Sequence, residues 1–128
     1  MNRVIHTEEA PPPFSDYCQA VETTGNVRWL HVSGQVGNNI DGQLGVGVEA
    51  QCEAAWCNVF AILQAGGMEK TDIVDVLAIV SDHDGVPAYR TVRDRMLAGH
   101  KCCSTMLVCG LASPDWKVEI AVKAARSQ

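Results

Sequence analysis

The chain has 128 residues, with 15 acidic against 10 basic side chains, a net charge of −5 and an isoelectric point near 5.2. That length makes a single domain with enough interior to fold without staples, and the acidic balance excludes a phosphate-tracking surface, so no nucleic-acid partner is expected. No apolar stretch approaches the ~20 residues that span a bilayer, and Met1–His6 leads into Glu8-Glu9 instead of an apolar signal core, so the expected location is cytoplasmic, with no membrane association.

Residues 1–13 end in Pro11-Pro12-Pro13, which favours an extended segment, and the first sheet element is expected after it. A strand is predicted near Cys18–Thr24. Gly25-Asn26 then reads as the turn of a hairpin into Arg28–Ser33, a run rich in β-formers. The glycines at 34, 37, 42, 45 and 47 make a loop that fits neither a phosphate cradle nor a dinucleotide fingerprint. Val48, Cys52, Ala55, Val59, Ile62 and Leu63 recur at helical spacing and predict a helix over Val48–Ala65, closed by Gly66-Gly67, with Trp56 and Phe60 widening its core stripe. The β-branched run Ile73–Val80 reads as a central strand. Ser81–Gly85 ends it, and His83 within that turn reads as a solvated loop residue. A second helix is predicted from Val86 or Pro87 to Leu97, Pro87 suiting its first turn. Two strands follow, about Cys103–Gly110 and Lys117–Ala124. The order β-β-α-β-α-β-β describes an α+β domain, a two-layer mixed β-sheet with two helices on one face.

Six cysteines, at 18, 52, 57, 102, 103 and 109, lack the secreted context of a disulfide framework and are expected to be reduced. No C-x-x-C occurs and His100 has no partner at ligand spacing, so no metal is expected. In the last strand, alternation points Val118, Ile120 and Val122 inward and leaves Lys117, Glu119, Ala121 and Lys123 on the other face. A carboxylate in such a run is either a solvated surface acid or a cleft residue.

Several strings occur together in a telling order: Asp16-Tyr17-Cys18-Gln19, Ser33-Gly34-Gln35, Asn58–Leu63, Ser104-Thr105 and Val118-Glu119-Ile120. In that order they resemble the motifs of the reactive-intermediate deaminase (RidA/YjgF) family across roughly Phe14 to Ala125. The resemblance implies a chorismate-mutase-like fold, a homotrimer with clefts between subunits, and hydrolysis of enamines or imines to a carbonyl compound and ammonia without a cofactor. It makes Glu119 the acid/base that holds water and Tyr17 a phenol donor closing the cleft, with Ser33, Gly34, Ser104 and Thr105 as substrate contacts. Where the family has an arginine that grips the substrate carboxylate, this chain has Cys103, and a thiol cannot replace a bidentate guanidinium. Lys101 or Arg93 is a candidate replacement cation; alternatively both are surface charges, or the substrate lacks a carboxylate at that end. Cys103 itself is either a packing residue or a nucleophile in need of activation. The expected activity is that of a 2-iminobutanoate/2-iminopropanoate or 2-aminomuconate deaminase-like hydrolase, the alternatives being a non-enzymatic small-ligand or regulatory trimer and, third, an endoribonuclease-type translation inhibitor.

Overall fold

The computed structural model describes residues 1–128. Six strands and two helices follow in the order β1 (Asn2–Ile5), β2 (Ala20–Thr23), β3 (Val27–Val36), α1 (Val48–Ala65), β4 (Ile73–Val80), α2 (Val86–Leu97), β5 (Cys103–Val108) and β6 (Val118–Ser127). The main sheet runs β3-β6-β4-β5. Its β3–β6 and β4–β6 pairs are antiparallel and its β4–β5 pair is parallel, which makes it mixed. A parallel pair needs a long crossover, and α2 provides it.

The expected two-layer α+β architecture is present, with two corrections at the N-terminus. The first sheet element comes before the proline run and not after it: Asn2–Ile5 form a strand that pairs antiparallel with β2, and Arg3 bridges to Glu22 across that ribbon. The hairpin between β2 and β3 does not form. Gly25 adopts φ 89° in the turn, but the turn links two sheets, because β2 takes β1 as its partner and β3 takes β6.

The core lies between the main sheet and the helices. Helical spacing brings Cys52, Ala55, Trp56, Val59 and Leu63 to one buried stripe of α1, against Val32 of β3 and Ile120, Val122 and Ala124 of β6. Tyr89, Val92 and Leu97 of α2 complete it. Burying a side chain of this kind contributes ~1.5–3 kcal/mol. Gln51 is the polar exception: its amide donates to the carbonyls of Gly45 and Asp115 and accepts from the Lys117 N–H, so one buried side chain ties the glycine loop to the β5–β6 turn. No helix is long and apolar enough to cross a membrane.

Candidate functional site

Glu119 stands opposite Val36 of β3 and Ile79 of β4. Its neighbours Val118 and Ile120 are buried in the core, so strand alternation turns the half-buried carboxylate to the face away from the helices. There it meets a break in the β3–β6 register between Val32 and Gln35. A Cβ added to Gly34 would fall 2.1 Å from Glu119 Oε2 and 2.9 Å from its Cγ. Ser33-Gly34 is therefore a bulge whose missing side chain leaves room for the carboxylate, a device common beside active sites. Glu119 takes no part in the chain's ion pairs, so its charge is available to something outside the chain.

A second group of predicted residues gathers at the junction of α2, β5 and the segment before β2. Arg93 is 2% exposed. Its Nη2 donates to Ser15 Oγ at 2.7 Å, its Nε donates to Asp94 Oδ1 at 3.0 Å, and its guanidinium carbon lies 5.8 Å from the centre of the Tyr89 ring. The Tyr17 hydroxyl accepts from the Phe14 N–H at 3.1 Å and keeps its own proton to donate. Tyr17, Arg93 and Ser104 line one cleft of about 190 Å³ with Ser15 and Arg90, between apolar walls from Phe14 and Met106. Lys101 forms an ion pair with Asp16, both partly exposed, so its charge is matched on the spot.

The remaining candidates sit elsewhere. Thr105, opposite Leu77, is exposed on the outer sheet face, whereas Ser104 turns to the cleft. Cys103 is half-buried opposite Asp75 and beside Cys18. Burial, then the charge and hydrogen bond of Cys103, push the Cys18 thiol up to about 11. Burial pushes Cys102 up to about 12, with Cys18 and Cys103 adding to it. Both thiols therefore stay protonated at neutral pH and neither is a ready nucleophile.

Within one chain the predicted residues form two groups. Glu119 and Leu107 share a row across β4, and Cys103 lies further back along β5, which puts it roughly 16 Å from Glu119 at ~4.8 Å between strands and ~3.3 Å per residue. Sequence reasoning passed over Ser15 and Arg90 as site residues. Arg90 had a signal, since it stands one helical turn before Arg93 on the same face. Ser15 had none, because only tertiary contact brings it to Arg93.

Residues 7–126 match the family model described as Endoribonuclease L-PSP. A RutC family protein of Aquifex aeolicus is 40% identical over 81 residues, 62% of each chain. A 2-iminobutanoate/2-iminopropanoate deaminase of Dermatophagoides farinae is 32% identical over 70% of each chain, and the Escherichia coli protein of that name is 29% identical over 98% of this chain and 99% of its own. Among solved structures, the Rid-family protein YyfB of Yersinia pestis, of unknown function, superposes with a TM-score of 0.84 at 28% identity over 98% of both chains. The E. coli YjgF gene product gives 0.72 at 28% identity over 97% of this chain and 98% of its own. With nearly its whole length inside one family model and its fold shared with these structures, the chain belongs to the RidA/YjgF (endoribonuclease L-PSP) family.

Proposed function

We propose that the protein is an enamine/imine deaminase whose Glu119 handles the attacking water. The observation that carries this is the Glu119 carboxylate itself: half-buried, seated over Gly34, and unused by any ion pair of the chain. Deaminase names among the relatives support the reaction class. Water attack at the imine carbon makes a tetrahedral carbinolamine, which expels ammonia and leaves a carbonyl. Glu119 accepts a proton from water as the C–O bond forms and passes it to the imine nitrogen; it then carries the carbinolamine's hydroxyl proton to the same nitrogen as the C–N bond breaks, so ammonia leaves, a carbonyl remains and the carboxylate ends the cycle unprotonated. General acid–base help of this kind contributes about 10²–10⁴-fold.

In this proposal the working site lies between copies of the chain in a homotrimer. The separation of Glu119 from the Tyr17–Ser104 cleft supports that arrangement, as does the outer sheet face, where Trp29, Leu77 and Leu107 are 49%, 39% and 49% exposed. An ammonia-release assay over a panel of imines tests the catalytic assignment. Glu119→Gln should lose about 10²–10⁴-fold in rate with an unchanged melting temperature; equal rates for the two proteins sink it. A second role, as a non-enzymatic ligand-binding trimer, is favoured by one observation, that the arginine-lined cleft forms without a reacting acid of its own chain nearby. It predicts binding without turnover. Ribonuclease activity has no surface to support it in a chain of net charge −5.

A further inference from the structure

We propose that Cys18 and Cys103 are a reversible redox pair, joined as a disulfide by a peroxide, that locks the segment carrying Tyr17 onto the start of β5. The backbone already brings the two together. The Cys18 N–H donates to the Cys102 carbonyl at 3.1 Å, and a strand-type bond of this kind holds facing Cα atoms roughly 5 Å apart, inside the ~4.4–6.8 Å that a disulfide spans. Little movement is needed to close it.

Of the two adjacent thiols where β5 begins, only that of Cys103 reaches Cys18. Cys102 is 2% exposed and packed into the core, whereas alternation turns Cys103 to the other side of the chain, half-buried, where its thiol and that of Cys18 share a hydrogen bond. Cys102 and Cys103 themselves point apart and are poorly set to bond each other. Cys52 lies in the buried stripe of α1, and Cys57 and Cys109 are exposed, one on α1 and the other past the end of β5. A single pair is thus placed for a bond within the chain.

The surroundings give the two thiols different parts. Cys18 is 7% exposed and its thiol is pushed up to about 11, so it keeps its proton at neutral pH. Cys103, the more open of the two, meets the oxidant first. Its sulfur attacks one oxygen of hydrogen peroxide, an S–O bond forms as the O–O bond breaks, and the thiol proton leaves with the departing oxygen as water. The Cys18 sulfur then attacks the sulfenic sulfur of Cys103: the S–S bond forms, the S–O bond breaks, and the Cys18 proton leaves with hydroxide as a second water. Two thiols have lost two electrons and the peroxide has gained them. A small thiol in excess reverses the lock, two of its molecules leaving as their own disulfide while Cys18 and Cys103 regain their protons.

The lock acts on the cleft between α2 and β5. Cys18 follows Tyr17 and Cys103 precedes Ser104, and both of those hydroxyl residues line the cleft. In the reduced chain the segment is held by the Cys18 backbone bond, by Arg93 on Ser15 and by the exposed pair of Lys101 with Asp16, contacts modest enough to open locally. A covalent bond suppresses that opening and fixes Tyr17 against Ser104. The pair behaves in this way whether the cleft serves a deaminase or a ligand-binding protein.

Full-length protein, reduced, freed of thiol and treated with hydrogen peroxide, tests the pair. Its intact mass should fall by two hydrogens, peptide maps without reductant should join Cys18 to Cys103, and dithiothreitol should restore both thiols. The bond closes a loop of about 85 residues, so the melting temperature should rise by roughly 5–15 °C. The amide protons of Tyr17 and Cys18 should exchange at least about tenfold more slowly. Cys103→Ser, at a half-buried position, should abolish all of these changes, and Cys102→Ala should keep them; should the buried variant fail to fold, fragmentation of the joined peptides separates position 102 from 103. A bond from Cys18 to Cys102, chains joined through Cys57 or Cys109 in place of the internal bond, Cys103 oxidised with no bond formed, or unchanged exchange at Tyr17 and Cys18 overturns the proposal.

Discussion

Glu119 and Arg93 are placed by opposite means. The acid sits in the middle strand of a three-strand stretch, its direction set by backbone register with β3 and β4 and its room made by one glycine. The arginine sits on a helix, and its direction is set by side chains: Asp94 beside it, Tyr89 a turn before it, and Ser15 on a segment that reaches it only in the folded chain. Backbone placement is rigid and tolerant of changes around it. Side-chain placement fails when any one contact is lost, and it brings with it the loop that carries Tyr17.

Changing Gly34 is the strongest way to break this contrast. The backbone there needs no glycine, since φ at 34 lies outside the left-handed region, so Gly34→Val should fold but push the carboxylate from its seat. Displacement of a reacting group by about 1 Å can cost about a hundredfold, and imine turnover should fall by that much while the melting temperature moves little. Full activity in Gly34→Val would mean that the seat over residue 34 does not matter.

Alkali gives a smaller effect that acts through the other region. Cys18 and Cys102, joined by a backbone hydrogen bond where the segment before β2 meets the start of β5, and Cys52 in α1 have thiols raised to about 11, 12 and 12, burial being the first cause in each. The unfolded chain gives up those protons near pH 8.5 while the folded chain keeps them, so stability is level below that pH and falls as pH climbs toward 12. Urea midpoints under reducing conditions should decline from about pH 8.5 upward, and Cys52→Ala should flatten the decline. A midpoint constant to pH 11 would contradict the buried placement of these thiols.

Lys101→Ala should have the least effect. Its ion pair with Asp16 is partly exposed, and such pairs contribute ~0–1 kcal/mol. If urea unfolding shows a loss well beyond that, Lys101 rather than Arg93 pins the Tyr17 segment, and the contrast between the two regions needs redrawing.

The same contrast explains what the sequence made legible. Both helices and the strands β4, β5 and β6 follow from periodicity, and the outward direction of Glu119 follows from its place between Val118 and Ile120. β1 was hidden because four residues at the chain start, with a proline run between them and their partner, carry no periodic signal. The β2–β3 hairpin was misjudged because turn chemistry at Gly25-Asn26 reports a change of direction and not which strands pair afterward. Arg93 was legible as a helix residue, but its burial beside Ser15 depends on a contact between distant parts of the chain that no local pattern encodes.

The tether before β2 has a consequence for how the protein behaves in concentrated solution. β5 is an edge strand, and Cys103-Ser104-Thr105-Met106-Leu107-Val108 contains no charge and no proline, the composition that invites strands of other molecules to add on. The Cys18 N–H donates to the Cys102 carbonyl at 3.1 Å, and Arg93 holds Ser15 nearby, so the segment covers the start of that edge. Proteolytic removal of the chain through Cys18 would therefore cost it this shield against fibrillar pairing as well as Tyr17.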